Sequence, residues 1–270
     1  MKIHKNSRMR AGFTLIELSI SVLIISLMIA GIISIESQNE RVVQRRELAI
    51  KLDAIGAALY NYRLVNNKLP CPGNASLAKT SANFGLQADG AAEACASGAT
   101  ISSNINLSDG GVSVVGGSVP VRTLGLPDDM AFDPWGNLFT YYLDKEANNT
   151  ANFTGEYGTA GFTDTNLLNV QDESGATLSE SVLAVVLSHG PNGHGAFNVA
   201  GNRVNASSSN AAEQENCMCD SSAVAASDTS LLIRIQRTLP TSSVDFTTNF
   251  DDVGRFYNKA FFYTYAEKTR

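Results

Sequence analysis

Glu17 is an acidic side chain inside the most apolar stretch of the chain. That stretch, Phe13 to Ile35, is 23 residues long and contains no Lys, Arg or His. As a helix it would measure about 34 Å, enough to cross a hydrocarbon core of about 30 Å. An ionised acid at the centre of a membrane costs about 2.5–3.5 kcal/mol, less near an end, and normally has a partner. Glu17 therefore requires a cation that the stretch itself does not supply.

A cut between Gly12 and Phe13 would create this cation. It would leave a free α-amine on Phe13, four residues before Glu17. The amine and the carboxylate would then lie about one helical turn apart. They could pair within one chain or, better, between neighbouring chains. The twelve residues before the cut contain four Lys or Arg and no acid.

Two simpler explanations of this segment compete with cleavage at Gly12. A removable secretory signal has an apolar core of about 7–15 residues, which is shorter than the stretch observed. A plain signal anchor explains the length and the basic flank but leaves Glu17 unexplained. Because Arg41, Arg45 and Arg46 follow the stretch, the distribution of basic residues indicates its orientation only weakly.

The sequence GFTLIEL, Gly12 to Leu18, follows a short basic leader and resembles the cleavage and methylation signature of type IV prepilins and type II secretion pseudopilins. The resemblance implies that prepilin peptidase cuts after Gly12 on the cytoplasmic side and that Phe13 is N-methylated. Glu17 would neutralise the Phe13 amine of the adjoining subunit. The same resemblance implies that homologous subunits and an inner-membrane assembly platform are partners of the chain. The chain would cross the bacterial inner membrane once, with its C-terminal head in the periplasm.

A helical pattern continues beyond the apolar stretch. Apolar and aromatic side chains recur at spacings of 4, 3, 4 and 3 residues, at Leu48, Leu52, Ile55, Leu59 and Tyr62. Such spacing is typical of a helix with one apolar face. Glu47 and Lys51 form an i,i+4 pair on another face. Two prolines and a glycine between Asn66 and Gly73 end the pattern. We predict one helix from Phe13 to about Val65.

Short segments rich in β-branched and aromatic residues follow the helix. We predict strands at Leu138–Leu143, Ser181–Leu187, Leu231–Arg237 and Asn258–Tyr265, and a hairpin around Gly116-Gly117. A long helix followed by strands predicts an α+β, pilin-like fold, in which the amphipathic half of the helix packs on a C-terminal antiparallel sheet.

The predicted organisation has five parts. Residues 1–12 are a basic leader removed on processing, and 13–35 are the transmembrane and assembly helix. Residues 36–65 are its amphipathic continuation, 66–130 are a loop-rich connection, and 131–270 are a β-rich globular head.

FDPWGNLFTYYL, Phe132 to Leu143, combines a turn with a strand. Asp133-Pro134 begins the turn and Gly136-Asn137 closes it. The segment resembles the DPWGN turn and strand in the head of the major pseudopilin. Trp135 is the only tryptophan of the chain. We expect it to cap the core beneath the turn, with stacking on a ligand as the alternative.

SHGPNGHGAFN, Ser188 to Asn198, is the stretch most similar to a ligand site. We expect a glycine-rich turn with exposed imidazoles at His189 and His194, with a transition-metal site as the alternative. No nucleophile elbow surrounds any serine, and the chain has no phosphate loop or dinucleotide fingerprint. The sequence therefore predicts that the chain is not an enzyme.

Major pseudopilins carry a glycine-rich segment in roughly this position, and their C-terminal loops bind calcium through carboxylates and carbonyls. Ser188 to Asn198 contains no Asp or Glu, and imidazole is a poor ligand for a cation that prefers oxygen. We therefore predict no metal and no cofactor. If calcium were bound, acids such as Asp220, Asp251 or Asp252 would hold it.

The four cysteines all follow the apolar stretch, at Cys71, Cys95, Cys217 and Cys219. In an exported domain they permit two disulfides with three possible connectivities. A Cys217–Cys219 bridge would close a very tight ring. We therefore expect Cys71 and Cys95 to pair with each other or with the other two, and four reduced thiols are the alternative.

The charge of the chain argues against nucleic-acid binding. The formal net charge is −6, and the four positive charges of residues 1–12 leave −10 for the remainder. A body of this charge without a basic patch repels phosphate backbones.

Three functions are compatible with these features. The DPWGN segment favours a structural subunit of a type II secretion pseudopilus. The alternative is a type IV pilus (minor) pilin with an adhesion or filament-tip role. It is suggested by the large head and by the cysteines towards the C-terminus. A membrane-tethered enzyme is the third, and only the two histidines favour it.

Overall fold

The computed structural model describes residues 14–88, 95, 108–109, 112–150, 168–180, 182–204, 210–217, 231–236 and 250–262. For residues 29–39, 108–109, 112–113, 146 and 231 only the backbone is described. The chain divides into two compact units, Met1–Arg46 and Glu47–Arg270. The first helix, α1, runs Leu15–Asn66 and contributes residues to both units. Its observed ends agree with the predicted helix.

In the first unit, the helix presents apolar side chains to its surroundings. The large apolar residues between Leu15 and Met28 are each between 47% and 88% exposed. Among the described residues, the structure contains no helix whose length and apolar content would let it cross a membrane.

In the second unit, α1 packs its predicted apolar face into the core. Leu52, Ile55 and Leu59 are fully buried, and Leu48 is nearly so. Tyr62, predicted as the fifth member, is half-buried. The predicted Glu47–Lys51 pair is also confirmed, because Lys51 Nζ lies 2.7 Å from the Glu47 carboxylate.

Within the described residues of the second unit, the other named elements are eight strands, one short α-helix and two 3-10 turns. The strands are β1 (Ser108–Asp109), β2 (Val112–Ser118), β3 (Thr140–Asp144), β4 (Leu168–Asp172), β5 (Thr177–Ser179), β6 (Val182–Ser188), β7 (Leu231–Ile235) and β8 (Val253–Asn258). The α-helix α2 spans Ala211–Cys217, and the 3-10 turns span Asp128–Ala131 and Lys145–Asn148.

The main sheet has five antiparallel strands in the order β1-β2-β3-β6-β8. This confirms the predicted α+β fold with an antiparallel sheet. One face of the sheet shares a core with α1 through residues such as Tyr141, Leu143 and Val186. All seven residues of β6 are buried, because the other face of the sheet is covered as well.

A second sheet of three strands, in the order β5-β4-β7, provides that cover. Its residues Val170 and Ile233 share a second core with Val185 and Leu187 of β6. The pair β4–β7 is parallel, with Leu168 opposite Leu231. The prediction contained neither a second sheet nor a parallel pair.

Three of the predicted strands are confirmed with shifted ends, as β3, β6 and β7. The strand predicted at Asn258–Tyr265 is wrong. β8 ends at Asn258, and residues 259–262 form a helical turn. In that turn Phe261 packs on Tyr257, four residues earlier, at 4.8 Å between ring centroids. The aromatic residues of this segment suggested a strand. The contact between Tyr257 and Phe261 instead has the four-residue spacing of a helix.

The hairpin predicted around Gly116-Gly117 is also wrong. Both glycines lie inside β2, opposite Tyr142 and Tyr141 of β3. β2 pairs with β1, with Asp109 opposite Val112.

Cys71 and Cys95 form a disulfide, one of the pairings that the sequence left open. Both side chains are buried. The bond closes a loop with a sequence separation of 24 residues. Cys217 is also disulfide-bonded, and Cys219 lies outside the described residues.

Gly56 lets the side chain of Tyr257 in β8 lie close against α1. A Cβ at this position would lie 2.8 Å from the hydroxyl oxygen of Tyr257 and 2.9 Å from its ring. Tyr257 is buried and donates a hydrogen bond of 3.3 Å to the carbonyl of Leu52. The ring therefore cannot move aside without losing this bond.

We expect Gly56→Ala to destabilise the head by about 1–3 kcal/mol through overpacking, although alanine favours the helix by about 1 kcal/mol. Urea unfolding followed by Trp135 fluorescence measures the change. The control is Ala57→Ser, at the next and exposed position of α1. Equal stability of Gly56→Ala and the wild type would contradict this account of the contact.

Candidate functional site

The start of α1 is a capped helix end that includes Glu17. The backbone N–H of Glu17 donates to Thr14 Oγ1 at 3.4 Å, and Thr14 Oγ1 donates to the Glu17 carboxylate at 3.4 Å. Thr-x-x-Glu at a helix start is the capping-box pattern. The sequence analysis missed the role of Thr14, although the spacing was visible. Gly12 and Phe13, where the cut was predicted, lie outside the described residues.

The serines of the apolar helix have their hydroxyl groups satisfied within the helix. Ser19 donates to the carbonyl of Ile16, and Ser21 donates to the carbonyl of Glu17, at 2.8 and 2.7 Å. Ser26 donates to the carbonyl of Val22 at 2.8 Å. These polar groups therefore need no water.

The DPWGN turn is organised around the carboxylate of Asp133. Asp133 Oδ1 accepts the backbone N–H groups of Trp135 and Asn137, at 3.0 and 2.9 Å. The carbonyl of Asn137 accepts the N–H of Asp133 at 2.8 Å. Gly136 has a φ of +86°, a conformation that glycine adopts without strain. Trp135 is half-buried and packs against the main core, in agreement with the predicted cap.

The same carboxylate joins this turn to the glycine-rich loop after β6. Asp133 Oδ2 accepts the hydroxyl of Ser188 at 2.8 Å, and Asn137 Nδ2 donates to the carbonyl of Gly190 at 3.1 Å. Burial raises the pKa of Asp133 to about 6, although hydrogen bonds from Asn137, Ser188 and Trp135 oppose the shift. The two motifs singled out in the sequence therefore form one buried site.

The imidazoles of this loop are buried, so the predicted exposed imidazoles are wrong. His189 is 1% exposed and His194 is 2% exposed. His189 Nε2 is hydrogen-bonded to Thr140 Oγ1 at 2.8 Å. Burial, with the charges of His194 and Arg203, lowers the pKa of His189 to about 3. Burial also lowers the pKa of His194. Both rings are therefore neutral at neutral pH.

Three further carboxyl groups lie close to the loop and are buried, at Glu213, Asp251 and Asp252. We call the set made by the loop His189–Gly195, the helix α2 and residues 250–252 the loop cluster. Asn192 connects its parts, since its backbone N–H donates to Asp251 Oδ2 at 3.2 Å and its amide Nδ2 donates to Glu213 Oε1 at 2.6 Å. The sequence analysis did not predict Glu213, because nothing local marks it.

Asp252 contacts the other side of the loop cluster. Its Oδ2 accepts the amide of Asn216 at 2.7 Å. Its Oδ1 has no hydrogen-bond partner and lies 3.8 Å from His189 Nδ1, which also lacks one. Burial raises the pKa of Asp252 well above the ordinary value, and the charges of Asp251 and Glu213 add to the shift.

Asp251 and Asp252, two of the acids considered for calcium from the sequence, both lie in the loop cluster. In each, Oδ2 accepts an N–H group and Oδ1 has no hydrogen-bond partner. Calcium takes about 6–8 oxygen ligands. Within the described part of the chain, no three His, Cys, Asp or Glu side chains are arranged to hold a metal ion. Asp220, the third acid considered from the sequence, lies outside the described residues.

We expect Ser188→Ala to destabilise the head by about 1–3 kcal/mol, because it leaves the buried Asp133 Oδ2 without its hydroxyl donor. Ser174→Ala is a matched control. Ser174 donates to Asp172 in the same way but on an exposed turn, where water replaces the lost bond. Urea unfolding of both variants measures the difference. Equal effects of the two would show that burial of Asp133 does not matter.

Comparison with known proteins identifies the N-terminal segment. Residues 7–33 match the family model described as the prokaryotic N-terminal methylation motif. No curated protein and no solved structure matches the chain. The matched segment includes Glu17 and the capped helix start. Residues 7–33 therefore carry the signature of type IV prepilins and pseudopilins, which supports a type IV pilin-like protein, processed as a substrate and anchored to the cell envelope.

Proposed function

We propose that the chain is a structural subunit of a type II secretion pseudopilus. In this proposal it is cleaved after Gly12, N-methylated at Phe13 and polymerised through its N-terminal helix. The observation that carries the proposal is the match of residues 7–33 to the methylation motif. The partners are prepilin peptidase, homologous subunits and the inner-membrane assembly platform, and the chain itself is not an enzyme.

The surface of the helix supports a location among lipids or other apolar helices. Its described side chains between Leu15 and Met28 are apolar and exposed, apart from Glu17 and three serines whose hydroxyls are satisfied internally. A contiguous apolar surface of this kind requires a partner that excludes water. The membrane before assembly and neighbouring subunits after it would both meet this requirement.

The position of Glu17 supports the proposed role between subunits. Glu17 is exposed and lies in the first turn of α1, where a negative charge also interacts favourably with the helix dipole. The Phe13 amine produced by cleavage would be a positive charge at the end of the neighbouring helix. In an apolar surrounding, an ion pair between two subunits favours one register over all others.

Two features of the head support the secretion system and the periplasm. The DPWGN turn has the buried, hydrogen-bonded structure described above, and it is the segment that resembles the major pseudopilin. The Cys71–Cys95 disulfide is typical of an oxidising compartment. A minor pilin with an adhesion or tip role remains the alternative.

We expect the protein purified from cells with active prepilin peptidase to begin with N-methylated Phe13. Mass spectrometry of the N-terminal peptide measures this. An intact leader in such cells would contradict the proposal.

We expect Glu17→Gln to leave cleavage and the folded head unchanged and to reduce incorporation into filaments at least tenfold, because the intersubunit ion pair is lost. Quantitative immunoblotting of sheared or cross-linked filaments measures incorporation. Glu40→Gln, at another exposed position of α1, is the control and should assemble normally. Normal assembly of Glu17→Gln would exclude the proposed pairing.

Removal of the protein from cells distinguishes the two machines. We expect secretion of exported enzymes to stop while surface filaments and adhesion persist. The opposite result would assign the chain to a type IV pilus.

A further inference from the structure

The head leaves one face of α1 open to solvent. On the side of the helix away from the buried residues, six residues recur at spacings of 3, 4, 3, 4 and 3. We call them the outer seam: Glu47, Ile50, Ala54, Ala57, Asn61 and Leu64. Ile50 is 60% exposed and Leu64 is 46% exposed. A row of exposed apolar side chains indicates a surface that another molecule covers.

The spacing of the outer seam is that of two-stranded helix pairs. Such pairs place their contact residues at positions a and d of a seven-residue repeat. The d positions of the outer seam are Ile50, Ala57 and Leu64, and the a positions are Glu47, Ala54 and Asn61. In the sequence the pattern occurs once more at Val43, seven residues before Ile50. The outer seam therefore fits a second helix that runs along α1.

The surroundings of the outer seam leave room for this helix. A groove of about 680 Å³ is lined by Ala57 together with Leu124 and Leu126. A second groove, of about 450 Å³, is lined by Ala57 together with Phe261. Because Ala57 is small and exposed, the backbone of a second helix can approach α1 closely at this point. The larger side chains of that helix then enter the two grooves.

Asn61 indicates that the second helix is another copy of the same one. A single asparagine at an a position fixes the register and the number of helices, although it lowers the stability of the pair. It does so by pairing with the same asparagine of the other helix. The remaining polar position, Glu47, carries a charge that is paired within its own helix, since Lys51 Nζ lies 2.7 Å away.

The N-terminal segment sets the orientation of two such helices. In the proposed function, the same segment anchors every copy in one membrane, so that neighbouring helices point the same way. Each residue of the outer seam then faces its equivalent in the second copy. A contact that uses the same patch on both copies is complete with two copies.

We propose that two copies of the chain pair through their outer seams, as a parallel dimer in which Asn61 faces Asn61 of the second copy. The dimer covers the apolar residues that the head leaves exposed on this face. It is a state of the chain outside the filament, because a filament is built by head-to-tail contacts between two different surfaces. Its parallel orientation rests on the anchor of the proposed function, but the dimer requires neither cleavage nor methylation.

Cysteine cross-linking of the full chain in lipid vesicles tests the dimer. The three cysteines that the structure describes are disulfide-bonded, so that an added thiol reports a new contact. We expect oxidised Ala57→Cys to give about fivefold more covalent dimer than Ser174→Cys, because a disulfide requires Cα atoms about 4.4–6.8 Å apart. Ser174 is a suitable control, since it is exposed on the turn between β4 and β5. Equal yields from the two variants would overturn the proposal.

Mixed samples test the orientation of the helices. Chains with Ile50→Cys and chains with Leu64→Cys carry tags of different size. In a parallel dimer, positions 50 and 64 of opposite copies lie about 21 Å apart along the pair. Each variant should therefore cross-link with itself, and about fivefold less with the other. Preferential cross-linking of position 50 to position 64 would mean that the helices are antiparallel, contrary to the proposal.

Asn61→Leu tests the register of the pair. Ala57→Cys and Leu64→Cys chains are mixed, with and without this substitution in both. We expect cross-links between positions 57 and 64, which lie one heptad out of register, to increase about threefold when asparagine is absent. No increase would show that Asn61 does not face its equivalent, which the proposal requires.

Native mass spectrometry of the wild type in lipid nanodiscs needs no added cysteine. We expect dimers for the wild type and for Ser174→Glu, and monomers for Ala57→Glu, which would bury an unpaired charge in the contact. A monomeric wild type would overturn the proposal. An intact leader in cells with active prepilin peptidase would contradict the proposed function but would leave all of these results unchanged.

Discussion

Packing of α1 on the antiparallel sheet, from Glu47 onward, is the interaction on which the rest of the head depends. The absent side chain of Gly56 lets the Tyr257 ring lie against the helix, where its hydroxyl donates to the carbonyl of Leu52. On the same helix, Lys51 Nζ donates to the carbonyl of Phe132 at 3.0 Å and so holds the residue that begins the DPWGN segment. Asp133 then holds the loop after β6 through Ser188. The helix therefore positions the sheet, the turn and the loop in succession.

β6 is buried along its whole length, and its one polar residue, Ser188, stands at its end. Ser188 ends β6, and Asp252 immediately precedes β8. Glu213 and Asn216 reach these strand ends from α2. Buried carboxyl groups cost free energy unless they are hydrogen-bonded or protonated. In return, hydrogen bonds between specific atoms select one arrangement of the loops, which apolar packing alone would not do. In the loop cluster such bonds link the loop after β6 to α2 and to the segment that precedes β8.

The structural features that the sequence predicted correctly are those determined by residues close together in the chain. The spacing of Leu48, Leu52 and Ile55 depends only on helix geometry, and the N-terminal signature lies within a few residues. The parallel pairing of β4 with β7 joins residues about sixty positions apart, and no local pattern records it. The prediction that His189 and His194 are exposed failed for the same reason, because the elements packed around them are distant in sequence. Glu213 was missed because an acid in a short helix is usually exposed.

The two units differ in what they need from outside. The core of Glu47–Arg270 is closed by its own side chains, with residues such as Leu52, Phe139 and Val186 fully buried. The apolar side chains of the first unit are exposed, so that unit requires lipid or other helices for its stability. In the proposed function, cleavage, charge pairing and helix packing would all be determined by the short N-terminal segment that carries the methylation motif. The head, by contrast, closes both of its cores with side chains of its own elements.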